Sequence, residues 1–184
     1  AYEGRAFAFQ HEQLLDAAKR GLLDIDVVSQ IDYSDRRVIP TPVTTNYQNR
    51  YRVAGLKITL DGSAPGRTAW LTKPYLIPPE GQKPGYAGYP AIPDTEAVEA
   101  LIDEAYQKGW PVHVHANGDA AVDQMIAALT PVYAKYPPAD RRTTLIHGVL
   151  MRRDQLDTLK DLQVVASLFP MHTYYWGDLY AETV

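Results

Sequence analysis

Four side chains in this sequence have the chemistry of metal ligands and a spacing that could gather them: Lys57, His113, His115 and His147. Neutral imidazole is a common zinc ligand, and a lysine amine joins such a set only when uncharged or chemically modified, for example as a carbamate formed with carbon dioxide. Burial favours the neutral amine that this reaction needs, because desolvation lowers a lysine pKa. Each residue also has a plainer reading. A buried histidine is commonly a hydrogen-bonded core residue, and Lys57 could pair with Asp61 or Asp32. What argues for chemistry is that all four fall at or near the C-terminal ends of three successive expected strands.

The elements that would position them follow from periodicity. Across 109–119, His113, His115 and Asn117 share one face of a strand while Val112, Val114 and Ala116 take the other. Residues 55–61 alternate in the same way, with Leu56, Ile58 and Leu60 against Lys57, Thr59 and Asp61. Further strands are expected at 25–33, 143–148 and 164–169, giving five. Residues 1–10 show no clear period, and a short helix follows over 11–20, with Gly21 placed to cap it. Asp94 caps a helix that Gly109 ends; another starts at Gly118 and Asp119 and runs until Pro131 interrupts it; a third spans 152–162. Between 62 and 93 the chain carries seven prolines and no sustained period, which marks a long loop of the kind that serves as a lid or binding segment.

Strand and helix in regular alternation predict an α/β fold with a parallel sheet and helices outside it. A polar row inside and an aliphatic row outside suit a TIM-type (β/α)8 barrel with its site at the C-terminal ends of the strands. At 184 residues the chain is shorter than the roughly 250 of a complete barrel, so a partial one is expected. The competing open doubly wound sheet lacks its usual glycine-rich phosphate signature here.

Composition narrows the function. A net charge of -4 and a pI near 5.7 give no basic stripe, so nucleic acid and anionic membrane are poor partners and a small molecule is the better one. The absence of cysteine excludes disulfides, thiolate metal sites and a cysteine nucleophile. No apolar run approaches the roughly 20 residues of a membrane helix, so a soluble protein is expected, cytoplasmic or periplasmic, with a homodimer left open.

Four segments, in order, resemble the amidohydrolase superfamily, specifically its amidohydrolase 3 branch of metal-dependent hydrolases. Leu56-Lys57-Ile58-Thr59-Leu60-Asp61-Gly62-Ser63 is similar to that branch's fourth-strand Val-Lys-Ile-Phe run into Asp-Gly-Ser. His115-Ala116-Asn117-Gly118-Asp119 resembles its His-Ala-Ile-Gly-Asp at strand five, and Ile146-His147-Gly148 its strand-six segment. The run from Ala166 to His172 resembles Ala-Ser-Val-Gln-Pro-Thr-His at strand seven. The resemblance implies Lys57 as a carbamylated bridging ligand, with His115 and His147 as ligands of a second metal. His113 lies outside that ligand set and reads as a supporting or packing residue, as do Asp61 and Asp119.

Two parts of the family pattern have no counterpart: the first-strand His-x-His before Lys57 and the eighth-strand Asp after His147. The expectation is therefore an incomplete metal-dependent hydrolase barrel domain over 1–184, covering roughly strands three to seven, and inactive by itself. In the whole enzyme a divalent metal, zinc first among zinc, iron, nickel and manganese, one or two ions, would activate water against an amide-like carbon–nitrogen bond other than a peptide bond. Runner-up readings are a metal-dependent phosphoesterase on the same barrel and a non-catalytic half-barrel scaffold. For the substrate, Trp70, Tyr75 and Trp176 suggest ring-lined walls, Arg67 a hold on a carboxylate or acyl oxygen, and His172 a hydrogen bond to the carbonyl as its charge develops.

Overall fold

The computed structural model describes residues 2–137 and 139–184. Six strands form one sheet: Tyr2–Ala6 (β1), Val27–Asp32 (β2), Tyr51–Thr59 (β3), Val112–Ala116 (β4), Thr144–His147 (β5) and Val165–Leu168 (β6). All neighbours are parallel, and their spatial order is their sequence order. Helices Ala8–Lys19 (α1), Thr95–Lys108 (α2), Asp119–Lys135 (α3), Arg153–Asp161 (α4) and Met171–Thr183 (α5) accompany the strands. Only β2 and β3 lack an α-helical crossover, being joined through a 3-10 turn at Tyr33–Val38. The result is an α/β half-barrel, a partial TIM-type fold with a concave inner face.

Alternation decides which side chains look inward. Leu56, Ile58, Val112, Val114 and Leu145 are fully buried on the helix side, where they join Val98, Ile102, Met125 and Leu129 in one core. Burying each such side chain stabilises by about 1.5–3 kcal/mol, and a one-residue slip of β3 would trade that row for Lys57 and Thr59. The apolar row therefore fixes the register of the polar one.

Three expectations need correction. The period-free stretch at the N-terminus holds a sixth strand, β1, because Tyr2 to Ala6 gain parallel partners from Val27 to Ile31. Helix α3 does not stop at Pro131 but continues to Lys135. Proline inside a helix costs about 3 kcal/mol, yet Ala128, Leu129 and Val132 on either side of it are buried and hold the helix on course. The aromatic segment after β6 is helical, as α5, although its sequence shows no apolar stripe.

Elsewhere the boundary signals hold. Asp94 accepts the Glu96 N–H at 2.9 Å, and Gly109 closes α2 in the left-handed conformation at φ 66. The long loop doubles back on itself through Leu71 N–H to Ala87 O (2.7 Å) and Tyr75 N–H to Tyr86 O (2.9 Å). Among the described residues no helix is long and apolar enough to cross a membrane.

Candidate metal centre

The concave face encloses about 1040 Å³, lined among others by Lys57, Thr59, His113, His115, Ile146 and His147. Lys57 stands opposite His113 in the β3–β4 register, and Thr59 opposite His115. Lys57 is 6% exposed. Burial pushes its amine down to about 8; the nearby Arg5 charge adds to the fall, and Glu3 and Asp32 oppose it. Among the described residues it makes no ion pair, because Asp61 is committed elsewhere and Asp32 is engaged by Arg5 at 3.6 Å and by the Ser34 hydroxyl at 2.7 Å.

His113 sits deeper on the same face, with its Nε2 buried and without a partner among the described residues. Burial pushes it down to about 4, against the pull of Glu3 and with help from Lys57 and Arg52. It is thus a neutral ring beside the lysine, as a supporting residue would be.

The orientation of His115 comes from the turn after β3. Its Nε2 lies 3.0 Å from the Gly62 carbonyl oxygen and 3.4 Å from Asp61 Oδ1. Asn117 Nδ2 lies 3.1 Å from the same nitrogen, but with two oxygens also facing it and that amide already donating to Gly62 O, the proton is assigned to Nε2, which leaves Nδ1 with the lone pair. Asn117 Nδ2 donates to the same carbonyl at 2.8 Å.

His147 reaches the site by breaking the strand pattern. Ile146 lines the inner face and Leu145 is buried in the core, so continued alternation would turn His147 outward, beside its register partner Ala116. Instead its φ is 79, a conformation that non-glycine residues adopt only when the surroundings enforce it. The ring consequently packs edge-on to His115, centroids 4.8 Å apart. Burial, then the charges of His115, Lys57 and His172, pushes it down to about 4, with Asp61 opposing. His172, in the first turn of α5, lies next in line, 6.1 Å from His147 between ring centroids.

Two carboxylates fasten the long loop over this end of the sheet. Asp61 accepts the backbone N–H groups of Trp70 (3.0 Å), Asn117 (2.9 Å) and Gly118 (2.8 Å). Asp119 accepts the N–H of Thr72 at 2.9 Å, the Thr72 hydroxyl, and Arg152 Nη1 at 3.1 Å. Burial works to raise the Asp119 pKa, but the hydrogen bonds from Thr72 and Arg152 prevail and hold it below its ordinary value. The supporting parts that sequence reasoning did not assign are Gly62, Thr72, Asn117 and Arg152. Of these Asn117 carried a signal by sharing the face of His113 and His115, and Gly62 by its place in the Asp61-Gly62-Ser63 motif.

The residues expected to bind substrate are placed differently. Arg67 Nη1 donates to the carbonyls of Ile77 and Pro78, each at 3.2 Å, so its charge braces the loop. Tyr75 is 3% exposed, stacks on Tyr86 and donates its hydroxyl to Ala69 O at 2.9 Å. Trp70 packs against the core, and Trp176 is exposed on α5. None of the four lines the concave space. Loop side chains took whichever loop carbonyl or apolar surface was nearest, and spacing in sequence does not report that choice.

Two imidazoles and an amine whose proton affinity burial lowers are a donor set that suits a divalent cation. Among the described residues no three of His, Asp and Glu converge as a metal-binding group.

A sequence model described as the amidohydrolase family matches residues 3–184. The Bacillus subtilis (strain 168) protein YtcJ, which carries a provisional amidohydrolase name, is 31% identical over 116 residues, 62% of this chain and 20% of its own length. An uncharacterized metal-dependent hydrolase from Pyrococcus horikoshii OT3 superposes with a TM-score of 0.78 at 25% identity, covering 99% of this chain and 35% of that one. One from Pyrococcus furiosus, also at 0.78 and 24% identical, shares the fold over 99% of this chain and 36% of its own. The chain thus spans about a fifth of the curated relative and about a third of the solved structures.

Proposed function

The chain belongs to the amidohydrolase family, and from that premise we propose that it supplies part of the metal centre of a metal-dependent hydrolase acting on an amide-like carbon–nitrogen bond other than a peptide bond. The observation that carries this reading is the pair His115 and His147, rings packed edge-on 4.8 Å apart on the face that also holds Lys57. His115, through Nδ1, and His147 would hold a divalent ion, zinc first, with Lys57 joining as a carbamate. What such an ion supplies when bound is Lewis acidity toward a carbonyl and a lowered pKa for water.

The chain's own residues prepare the site for it. Gly62 and Asp61 turn the His115 ring, the strained backbone at His147 aims the second ring, and burial lowers the Lys57 amine to about 8, which raises its share of the neutral form that reacts with carbon dioxide. His172, whose ring packs edge-on to His147, would donate a hydrogen bond to a carbonyl oxygen as charge develops on it. The substrate is a small amide-like molecule, and these 184 residues alone do not turn it over, because they hold no counterpart of the family's first-strand His-x-His or eighth-strand Asp.

The test is elemental analysis and turnover of the full-length protein, wild type against His115→Ala, His147→Ala and Lys57→Ala, on a panel of N-acyl amino acids. Each substitution is expected to reduce bound metal and to lower kcat/KM at least about a hundredfold, an interaction of the size expected for a group acting in the transition state. Undiminished metal and turnover in both histidine variants would sink the assignment.

A further inference from the structure

Helix α5 ties together two segments that are far apart in sequence. Its first turn carries His172 beside His147, and its last turn reaches the long loop, where the Thr183 carbonyl accepts the Leu76 N–H at 2.9 Å. Within the helix, Tyr180 follows His172 by eight residues, about 12 Å of axial rise. Helical side chains slant toward the N-terminus, and a tyrosine is long enough to cover much of that distance. Its hydroxyl meets His172 Nδ1 at 3.0 Å, with the two rings stacked at 6.5 Å and 26°.

We propose that Tyr180 is a positioning residue that orients the His172 ring by donating to Nδ1, so that Nε2–H is the group the ring offers to a ligand. The hydroxyl–Nδ1 pair can be drawn two ways. If Nδ1 carried the proton, the phenol oxygen would accept it and the phenolic hydrogen would have no partner among the described residues. If the phenol donates, both groups are satisfied within the helix and Nδ1 becomes the acceptor. Burial raises the Tyr180 pKa, so the phenol keeps the proton that this arrangement requires. With Nδ1 occupied, Nε2–H is the only polar group of the ring left for a ligand. An N–H donor held in this way stabilises a carbonyl oxygen as it gains charge. The tautomer stands on the geometry alone, whereas its catalytic consequence rests on the amide-hydrolase reading given above.

The experiment uses full-length protein containing histidine labelled with 15N in the ring, with the His172 signals identified by their loss in His172→Gln. Long-range proton–nitrogen correlation should show His172 Nε2 as the protonated nitrogen and Nδ1 as the bare one, and Tyr180→Phe should convert this to a mixture. With N-acetylphenylalanine as probe, Tyr180→Phe should lower kcat about tenfold while KM changes less than about twofold, the split expected of a donor used in the transition state. A wild-type spectrum with the proton on Nδ1, or one that Tyr180→Phe leaves unchanged, overturns the proposal. A shifted tautomer with unchanged kcat overturns its catalytic part. If the wild-type protein does not cleave the probe, the hydrolase reading is in question, and the spectrum still decides the role of Tyr180.

Discussion

The backbone carbonyl of Trp70 lies directly over Gly118: a Cβ at that glycine would come within 1.9 Å of the oxygen. The long loop and the turn after β4 therefore meet backbone to backbone, and the Ala120 N–H donates to the same carbonyl at 3.2 Å. Gly118→Ala must push the two segments apart. The expected cost is about 1–3 kcal/mol in urea unfolding, the range for overpacking, together with weakened metal binding, since the displaced turn contains Asn117 and follows directly on the end of β4 that carries His115. An alanine variant as stable as the wild type would show that the approach is looser than described.

Asp61 makes a different prediction because it gathers three N–H groups from two segments. Asp61→Ala leaves those donors without an acceptor in a buried position, so the expected destabilisation is about 3 kcal/mol or more. Asp61→Asn retains one acceptor oxygen and should cost less than the alanine. Equal losses in the two variants would argue that Asp61 acts through its charge alone.

The conformation of His147 can be tested by comparing two variants that both remove the imidazole. At φ 79 alanine keeps the backbone strain and glycine does not. His147→Gly should therefore be more stable than His147→Ala by about 1 kcal/mol, the reverse of the usual order in a strand. The usual order, found in thermal or urea unfolding, would remove the strain argument.

For Lys57 the folded pKa of about 8 lies below the ordinary 10.5 because burial penalises the charged form. Between those two values the unfolded chain binds more protons than the folded one, so stability rises as the pH climbs from about 8 to 10.5 and is flat in this term below 8. The contribution cannot exceed about 1.4 kcal/mol per pH unit. Lys57→Met should remove the rise and be the more stable protein at pH 7. Urea midpoints of metal-free protein across pH 7 to 10 measure this, and parallel curves for the two proteins would place the amine in solvent.

Arg67 offers the cleanest contrast between sequence reasoning and structure. Because its guanidinium holds the Ile77 and Pro78 carbonyls, Arg67→Ala should loosen the loop toward protease while leaving the ratio of kcat/KM for charged and apolar N-acyl substrates within about twofold. A collapse of the charged series alone would restore it to the substrate site.

The inward row of Lys57, His113 and His115 was legible because period-two alternation against a wholly aliphatic partner row leaves one arrangement. His147 was legible only as a histidine at a strand end; the alternation itself would have turned it away, and what brings it in is a backbone rotation that sequence does not announce. Strand β1, five residues with a central glycine, owes its form to neighbouring strands, and α5 lacks the apolar stripe that reveals a helix. Neither could be read locally. Where the loop aromatics sit was not legible, because ring count says nothing about where a ring points once Asp61 and Asp119 have pinned the loop.

The strand order of the sheet has a consequence for the chain as it is made. Every strand lies next to the one synthesised just before it, so none has to wait for a distant partner still to be translated. The sheet can grow by one edge at a time as residues leave the ribosome, each new strand and its following helix covering the apolar row exposed by the last. Parallel pairing across a crossover, as between Lys57 and His113, is intrinsically slow, and adding strands in the order of synthesis limits the time that an aliphatic strand stands uncovered to aggregate.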